Sequence, residues 1–145
     1  MQVPQLKLDG EASNLCFGCS KDNPIGMKLK FLEADGIHRS EFTPGQFHQG
    51  WSGLTHGGVL FTLLDEAAGY AVLSTGVTCV TAKSEIKFSC LSPINEPLQI
   101  SAWVTRNTSR IIETKSTLTL MNGTVIAENS SSWYVIRKSK VTEQS

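Results

Sequence analysis

One long segment, residues 53–70, constrains the fold of this 145-residue chain more than any other part of it. It opens with turn-forming glycines and then runs for about five turns without proline, a length that favours a helix over a strand. The Thr55 hydroxyl can accept a backbone N–H of the first turn, which makes Thr55 the predicted helix cap. His56-Gly57-Gly58 then begins the helix.

A spacing of about 100° per residue gives this helix a wide apolar arc, so protein is expected to cover most of its surface. The polar stripe is narrow, and Glu66 in its middle is predicted to be a solvated surface acid. Asp65 falls at the edge of the arc, where an ionised carboxylate costs free energy unless the protein gains something from it. The arc consists of Phe61, Leu64, Ala68, Ala71 and Val72, flanked by Leu60, Leu63 and Ala67, and the polar stripe of Thr62, Glu66 and Tyr70.

Two features of this helix point to chemistry. Its start offers free backbone N–H groups and the positive end of the helix dipole, which suit an oxyanion. Gly57 and Gly58 let a ligand approach that backbone closely. About two to three turns further on, Asp65 offers a half-buried carboxylate. The residues alone leave open the alternative of a glycine packing site and an acid that a neighbour satisfies.

The composition excludes several classes of protein. Hydrophobic residues make up 40% of the chain and charged residues 18%, which suits the core of one ordinary domain. Lys plus Arg and Asp plus Glu both number 13, and the resulting zero net charge argues against nucleic acid or an anionic membrane as the partner. No apolar run reaches membrane-spanning length, and residues 1–5 lack a secretory signal, so the predicted location is the cytoplasm.

Cys16 and Cys19 form a C-x-x-C pair in a stretch rich in turn formers. One such pair supplies two ligands where structural zinc needs four, and neither the isolated Cys79 and Cys90 nor the three histidines show the spacing that would complete a set. We therefore predict small buried thiols in a tight turn, with no metal and no cofactor. Disulfides are not needed in a reducing compartment.

Alternating apolar residues predict six strands, two before the helix and four after it. Ala34-Asp35-Gly36 and Asn122-Gly123 read as hairpin turns, and Thr43–Leu54 is a loop long enough to be functional. We expect an α+β fold in which the last four strands form an antiparallel meander and the sheet curls around the helix. One helix cannot cover both faces of such a sheet, so the uncovered face or edge favours a dimer. The predicted strands cover residues 27–32, 37–42, 80–88, 98–104, 112–120 and 125–136, and the helix ends near Leu73.

No repeat or low-complexity linker interrupts the chain, so we expect a single domain over residues 1–145. Residues 1–25 are its expected N-terminal lead, loose or briefly helical over Met1–Ser13. Residues 137–145 are its expected polar, frayed tail.

These features together resemble the hotdog-fold thioesterases, and more closely the PaaI-like acyl-CoA thioesterases of the 4-hydroxybenzoyl-CoA thioesterase superfamily. The resemblance runs from about Leu15 to Val135. The His-Gly-Gly triplet is weak evidence by itself, but Asp65 nine positions after His56 and Thr81 sixteen positions after Asp65 make the pattern much more specific. The matching pieces are Cys16-Phe17-Gly18-Cys19, Asn23-Pro24, Gly26, Gln49-Gly50-Trp51, Gly53, His56-Gly57-Gly58, Asp65, Val80-Thr81-Ala82 and Pro93.

The resemblance implies a hotdog fold, an antiparallel six-stranded sheet around one long central helix, and hydrolysis of an acyl-CoA. It implies that Asp65 is the catalytic carboxylate, acting as general base or nucleophile, and that the Gly57 N–H polarises the thioester carbonyl. His56 would shape that site, and Thr81 would reach it from a second subunit to handle the water. The family forms homodimers, often paired into homotetramers, and binds the CoA arm at the subunit interface.

The same resemblance suggests substrate contacts at Gly58, at Phe61, and at either His48 or Gln49 in the loop before the helix. Two other functions stay open, namely a hotdog protein that binds acyl-CoA without turnover and a hydratase or dehydratase that uses His56 with Asp65. The CoA phosphates need basic partners, but each candidate is better explained as a solvated charge at a strand edge. These candidates are Arg106, Arg110, Lys115 and Arg137.

Overall fold

The computed structural model describes residues 15–138, and at its centre is one long helix, α1 (Gly57–Leu73). The helix ends at the predicted residue, and Gly76, with a positive φ of 83°, follows shortly after it. No helix among the described residues is long and apolar enough to cross a membrane.

The helix starts one residue later than predicted, because its cap is His56 and not Thr55. His56 has an extended backbone, and its Nδ1 accepts the Gly58 N–H across 2.8 Å. Thr55 is buried, and its own N–H donates to the Ser92 carbonyl across 2.7 Å. The Thr55 backbone therefore ties the loop before the helix to the segment before β4, while the imidazole satisfies the first turn.

Six strands form one sheet in which all neighbours are antiparallel, as predicted. They are β1 (Leu32–Ala34), β2 (Ile37–Phe42), β3 (Val77–Phe88), β4 (Leu98–Asn107), β5 (Ile111–Leu120) and β6 (Val125–Lys138). Their order across the sheet is β1-β2-β4-β5-β6-β3, and α1 packs against β2, β3, β4, β5 and β6.

The prediction that the last four strands form a meander is wrong for β3, the first of the four. Strands β4, β5 and β6 are consecutive neighbours, but β3 pairs with β6 at the edge far from β4. The chain leaves β2, crosses the sheet as α1 and returns as β3 on the other side, so sequence neighbours are not sheet neighbours here. The outer edge of β3, twelve residues long, is unpaired in the described chain.

The first strand is shorter than predicted and lies further along the chain. Residues 27–31 are not strand, because Lys28 has a positive φ of 55° that breaks an extended run. The Met27 N–H donates to the Phe17 carbonyl across 2.8 Å, and the Leu29 N–H to the Gly18 carbonyl across 3.0 Å. This segment therefore pairs with the turn that contains the C-x-x-C and not with the sheet.

The two predicted hairpin turns are present. Asp35 and Gly36 both have positive φ, 53° and 77°, and join β1 to β2 in the way that a two-residue hairpin requires. Gly123, with φ of 90°, turns the chain between β5 and β6, although this loop is longer than two residues.

The apolar arc of α1 is largely buried against the sheet, as predicted. The difference is that Phe61, placed within the arc, is only partly buried, whereas Leu60 and Leu63 on its flank are buried. The main core comprises Leu60, Leu63, Leu64, Ala67 and Ala71 of the helix together with Leu98, Ile100, Ala102, Leu118, Ile126 and Ala127 of the sheet.

The expected ends of the domain are only partly covered by the structure. The lead over Met1–Ser13 and residues 139–145 of the tail lie outside the described residues. The tail was predicted to begin at residue 137, which is wrong by two residues, because β6 continues to residue 138.

Candidate active site

The helix acid and the strand hydroxyl predicted for catalysis are in direct contact. The Thr81 hydroxyl, on β3, donates a hydrogen bond across 2.9 Å to Oδ1 of Asp65, on α1. Asp65 is half-buried, as its place at the edge of the arc predicted, and this burial raises the pKa of its carboxyl group. The Thr81 hydrogen bond acts in the opposite direction, because it stabilises the ionised form.

This contact corrects one expectation. Thr81 was expected to reach the site from a second subunit, but its hydroxyl bonds Asp65 of its own chain, so that assignment is wrong for this hydrogen bond. A bulge in the pairing of β3 with β6 lies between Thr81 and Lys83, next to the residue that faces Asp65. Such irregularities re-aim side chains within a sheet.

The start of α1 presents one free backbone donor. The Gly58 N–H is occupied by the His56 side chain, and the Val59 and Leu60 N–H groups donate to the His56 carbonyl across 3.0 and 3.2 Å. Within residues 15–138 the Gly57 N–H has no acceptor. It lies at the positive end of a 17-residue helix, which is a suitable place for an oxyanion.

A largely apolar cavity of about 570 Å³ lies beside this donor. The Phe88 ring packs close to Gly57, since a Cβ placed on Gly57 would lie 3.7 Å from Phe88 Cζ. Trp51 and Leu91 are 84% and 75% exposed, so the cavity has an open apolar rim. Its lining consists of Gly50, Trp51, Leu54, Thr55, His56, Gly57, Leu60, Phe88, Cys90, Leu91 and Ser92.

Several lining residues were not predicted as site residues. Phe88 is the last apolar residue in the alternation of β3, and Leu91 follows it in a short connection, so neither carried a signal beyond ordinary strand and turn patterning. Trp51 lies in the Gln-Gly-Trp motif quoted above, which was the only available signal. Their common location depends on the path of the chain after β3.

The two predicted loop contacts, His48 and Gln49, hold the loop together and do not line this cavity. His48 ends a 3₁₀ turn over Gln46–His48, and its Nδ1 accepts the Gly45 N–H across 2.8 Å. Gln49 Oε1 accepts the Gly53 N–H across 2.6 Å. Neither Gly58 nor Phe61 lines the cavity, so the four predicted substrate contacts stay predictions without support from its shape.

A single chain does not bring all the predicted catalytic groups together. Gly57 and Asp65 are eight residues apart on one continuous helix, which separates them by about 12 Å along its axis. The free N–H and the carboxylate are therefore two separate functional places in one chain, one at the apolar cavity and one halfway along the helix.

The residue after Asp65 also lies in an unexpected environment. Glu66 is not a solvated surface acid, because the turn containing Cys16 and Cys19 lies against it, with the Cys16 Sγ 3.6 Å from Glu66 Oε1. Burial raises the pKa of the Cys19 thiol to about 12, and its contact with Tyr70 is the largest cause of a raised pKa at that phenol. All four cysteines are free thiols, and Cys16 and Cys19 are partly buried, as predicted.

A comparison with protein-family models decides the relationship. The model of the thioesterase superfamily matches residues 52–127, just over half of the chain. The chain belongs to the thioesterase superfamily. The matched part of this thioesterase includes α1, β3, Asp65 and Thr81, and membership of this superfamily assigns it to the thioester hydrolases.

Individual proteins agree with this assignment. A protein of Saccharolobus solfataricus with the provisional name of an esterase is 27% identical over 123 residues, which cover 84% of this chain and 81% of that one. A thioesterase-like protein of Streptococcus pneumoniae TIGR4, solved with coenzyme A, has a TM-score of 0.72 at 21% identity over 77% of this chain and 90% of its own. The PaaI protein of Escherichia coli has a TM-score of 0.73 at 19% identity, over 78% of this chain and 83% of its own. The predicted PaaI-like hotdog fold is confirmed.

Proposed function

We propose that this thioesterase hydrolyses an acyl-CoA, with water adding to the thioester carbon and the bond to sulfur breaking to release the free acid and CoA. The observation that carries the proposal is the half-buried Asp65 carboxylate held by Thr81. An ionised carboxylate can take the proton of an attacking water or attack the carbonyl itself. Asp65 fits both roles, since the hydrogen bond from Thr81 favours the ionised form of its carboxyl group.

The second catalytic element would be the Gly57 N–H. Attack on a thioester carbonyl places negative charge on its oxygen, and a fixed donor at the positive end of a helix stabilises that charge. Gly57 has no side chain, so the carbonyl can approach its backbone, and the neighbouring cavity offers apolar walls at Phe88 and Leu91 for the acyl or pantetheine chain. His56 would act through the helix start, by occupying the Gly58 N–H and leaving that of Gly57 free.

These two elements serve one thioester only if they come from two chains. A carbonyl that accepts a hydrogen bond from Gly57 is too far from Asp65 of the same helix, given the axial separation of about 12 Å. We therefore infer a homodimer with two composite sites, each combining the Asp65–Thr81 pair of one chain with the Gly57 end of the other. The exposed apolar rim at Trp51 and Leu91 and the unpaired edge of β3 are surfaces that a second copy would cover. A tetramer stays a prediction.

The known structures support the substrate class and the residue pair. The protein of S. pneumoniae was solved with coenzyme A, which matches a CoA ester as the substrate here. The same protein was also studied as two alanine variants, one at an aspartate and one at a threonine sixteen positions later, the separation between Asp65 and Thr81.

The two alternative functions have less support. A hydratase or dehydratase would pair His56 with Asp65, but nine helix positions separate them in one chain, and the His56 Nδ1 is occupied by the Gly58 N–H. A protein that only binds acyl-CoA would not need a carboxylate kept half-buried at a cost in free energy. The cytoplasm stays the predicted location, because free thiols persist in a reducing compartment.

A panel of acyl-CoA thioesters, aromatic and fatty, assayed by release of free thiol tests the proposal. We expect turnover with at least one member, and a loss of roughly a hundredfold or more in kcat for Asp65→Asn, which keeps the shape but removes the base. Glu128→Gln, an exposed acid on β6, is the matched control and should change little. A folded protein that binds the panel without releasing thiol would instead support the binding function.

A further inference from the structure

The turn at the start of the described chain meets α1 through two thiols and one carboxylate. The Sγ atoms of Cys16 and Cys19 and a carboxylate oxygen of Glu66 all lie within 4.8 Å of one another, and Cys16 Sγ is 3.6 Å from Glu66 Oε1. In a tetrahedral zinc site with typical bond lengths, a sulfur and an oxygen ligand are about 3.5 Å apart. The three groups are therefore close to the spacing that one metal ion requires.

No cation balances this carboxylate in the described part of the chain. Glu66 forms no ion pair there; the Cys16 thiol donates to its carboxylate, and the Cys19 Sγ lies within 4.8 Å of a carboxylate oxygen. A thiol is a weak donor, so this hydrogen bond offsets little of the cost of keeping a carboxylate partly buried. A bound divalent cation would offset that cost and would use all three groups at once.

Gly18, one of the two residues between the cysteines, packs closely against the Glu66 side chain. Gly18 is buried, and a Cβ at this position would collide with the carboxyl group of Glu66. The Glu66 side chain thus occupies space that only glycine leaves free. The Glu66 carboxyl group therefore packs directly against the Gly18 backbone, beside both thiols.

We propose that Cys16, Cys19 and Glu66 bind one zinc-class divalent cation, with two thiolates and one carboxylate as ligands and a water molecule in the fourth position. Thiolates favour zinc over harder cations such as magnesium and calcium. The water has access from a neighbouring cavity of about 390 Å³, which is lined by all three ligands and by Tyr70. The expectation of no metal considered only cysteine and histidine spacing, and did not consider a carboxylate brought to the thiols by the helix.

The cation would fasten the N-terminal turn to α1 at the residue next to Asp65. Binding must also release protons, because both thiols must ionise to act as ligands. The titratable groups that line the neighbouring cavity are Cys16, Cys19, Glu66, Tyr70 and Cys79, and none of them is basic. Affinity is therefore expected to rise with pH.

The test is a cobalt titration of the full-length chain with reduced thiols and all metal removed beforehand. We expect one cobalt per chain, with thiolate-to-cobalt charge-transfer absorption, tetrahedral d–d bands and displacement by zinc. The melting temperature should rise by about 5–10 °C at a hundredfold excess of zinc over its dissociation constant. Absence of the charge-transfer band at a large excess of cobalt, with thiols shown to be reduced, overturns the proposal, and this result needs no variant.

Variants then assign the ligands. The double variant Cys16→Ser, Cys19→Ser should lose the charge-transfer band, whereas Cys90→Ser, an exposed thiol outside the cluster, should keep it. Glu66→Gln and Gly18→Ala should keep the band but weaken cobalt binding by at least about tenfold, the first by removing a ligand and the second by displacing it. A band that persists in the double variant would mean that other thiols bind the metal, and the proposal would then be wrong.

Discussion

The Thr81 hydroxyl donates to the Asp65 carboxylate of its own chain across 2.9 Å, joining the edge strand β3 to the central helix. Two opposing effects on the Asp65 pKa meet in this contact. Burial raises the pKa and is the larger effect, and the hydroxyl lowers it. Thr81 therefore helps to keep a partly desolvated carboxylate ionised, which is the state that a general base or nucleophile needs.

Removing the hydroxyl should move the acidic side of the pH–rate profile. In Thr81→Val the hydrogen bond that lowers the Asp65 pKa is lost, so the pKa rises further. Because activity needs the ionised carboxylate, it should then fall at a higher pH than in the wild type as the pH is lowered. We expect a loss of about tenfold in kcat/KM at neutral pH. Thr81→Ser keeps the hydroxyl and should keep the wild-type pH–rate profile. An unshifted profile for Thr81→Val would show that the hydrogen bond does not act on the pKa of Asp65.

Mixed dimers should show which residues share a site. Gly57→Pro removes the proposed oxyanion donor but suits the first position of a helix, and His56, with φ of −61° and ψ of 135°, can precede proline. When Asp65→Asn and Gly57→Pro chains are combined, one composite site carries both changes and the other is native. Turnover should therefore exceed the average of the two parents. Gly57→Ala keeps the N–H but adds a Cβ beside the Phe88 ring, so it should lose less activity than Gly57→Pro.

The complementary mixture should not recover activity. Asp65 and Thr81 lie in the same chain, so Asp65→Asn combined with Thr81→Ala leaves every site with one defect. Turnover should equal the average of the parents once subunit exchange is confirmed by mass. Recovery in this mixture would mean that the functional threonine comes from the partner, and a protein that is monomeric at working concentration would remove the composite site altogether.

Asp65→Asn should stabilise the fold at neutral pH while it lowers activity. The Asp65 pKa is raised in the folded chain, so the folded state binds a proton more readily than the unfolded state. The free energy of unfolding of the wild type therefore declines as the pH rises from the ordinary aspartate pKa to the raised one. Asparagine does not carry this cost. We expect the melting temperature to be higher by about 2–5 °C at neutral pH, with the difference vanishing below the ordinary aspartate pKa. A variant less stable than the wild type at neutral pH would show that the ionised carboxylate is favourable overall.

A buried hydrogen bond between β5 and β6 should contribute to stability independently of the site. Trp133 Nε1 donates to Thr114 Oγ1 across 3.0 Å, and both side chains are buried. Thr114→Val leaves the indole N–H without its acceptor, which should lower the free energy of unfolding by about 1–3 kcal/mol in urea denaturation. Thr114→Ser keeps the oxygen and should cost less, and equal losses for the two variants would assign the effect to packing.

The amino-acid sequence determined the local elements and the nature of the acid. The length and periodicity of residues 57–73 predict the helix, and Asp35-Gly36 requires positive φ values that suit only a tight turn. The half-burial of Asp65 followed from its angular position on the helix. These features depend on a few neighbouring residues, so a single sequence contains the information needed to predict them.

Tertiary structure decided which distant residues meet. The passage of α1 across the sheet places β3 beside β6, which brings Thr81 to Asp65 in one chain and Phe88 to the helix start. The same packing brings the C-x-x-C turn onto Glu66, which periodicity alone assigned to solvent. Periodicity shows which face of an element is polar or apolar, but what covers that face depends on contacts between segments far apart in the chain, and no local pattern records them.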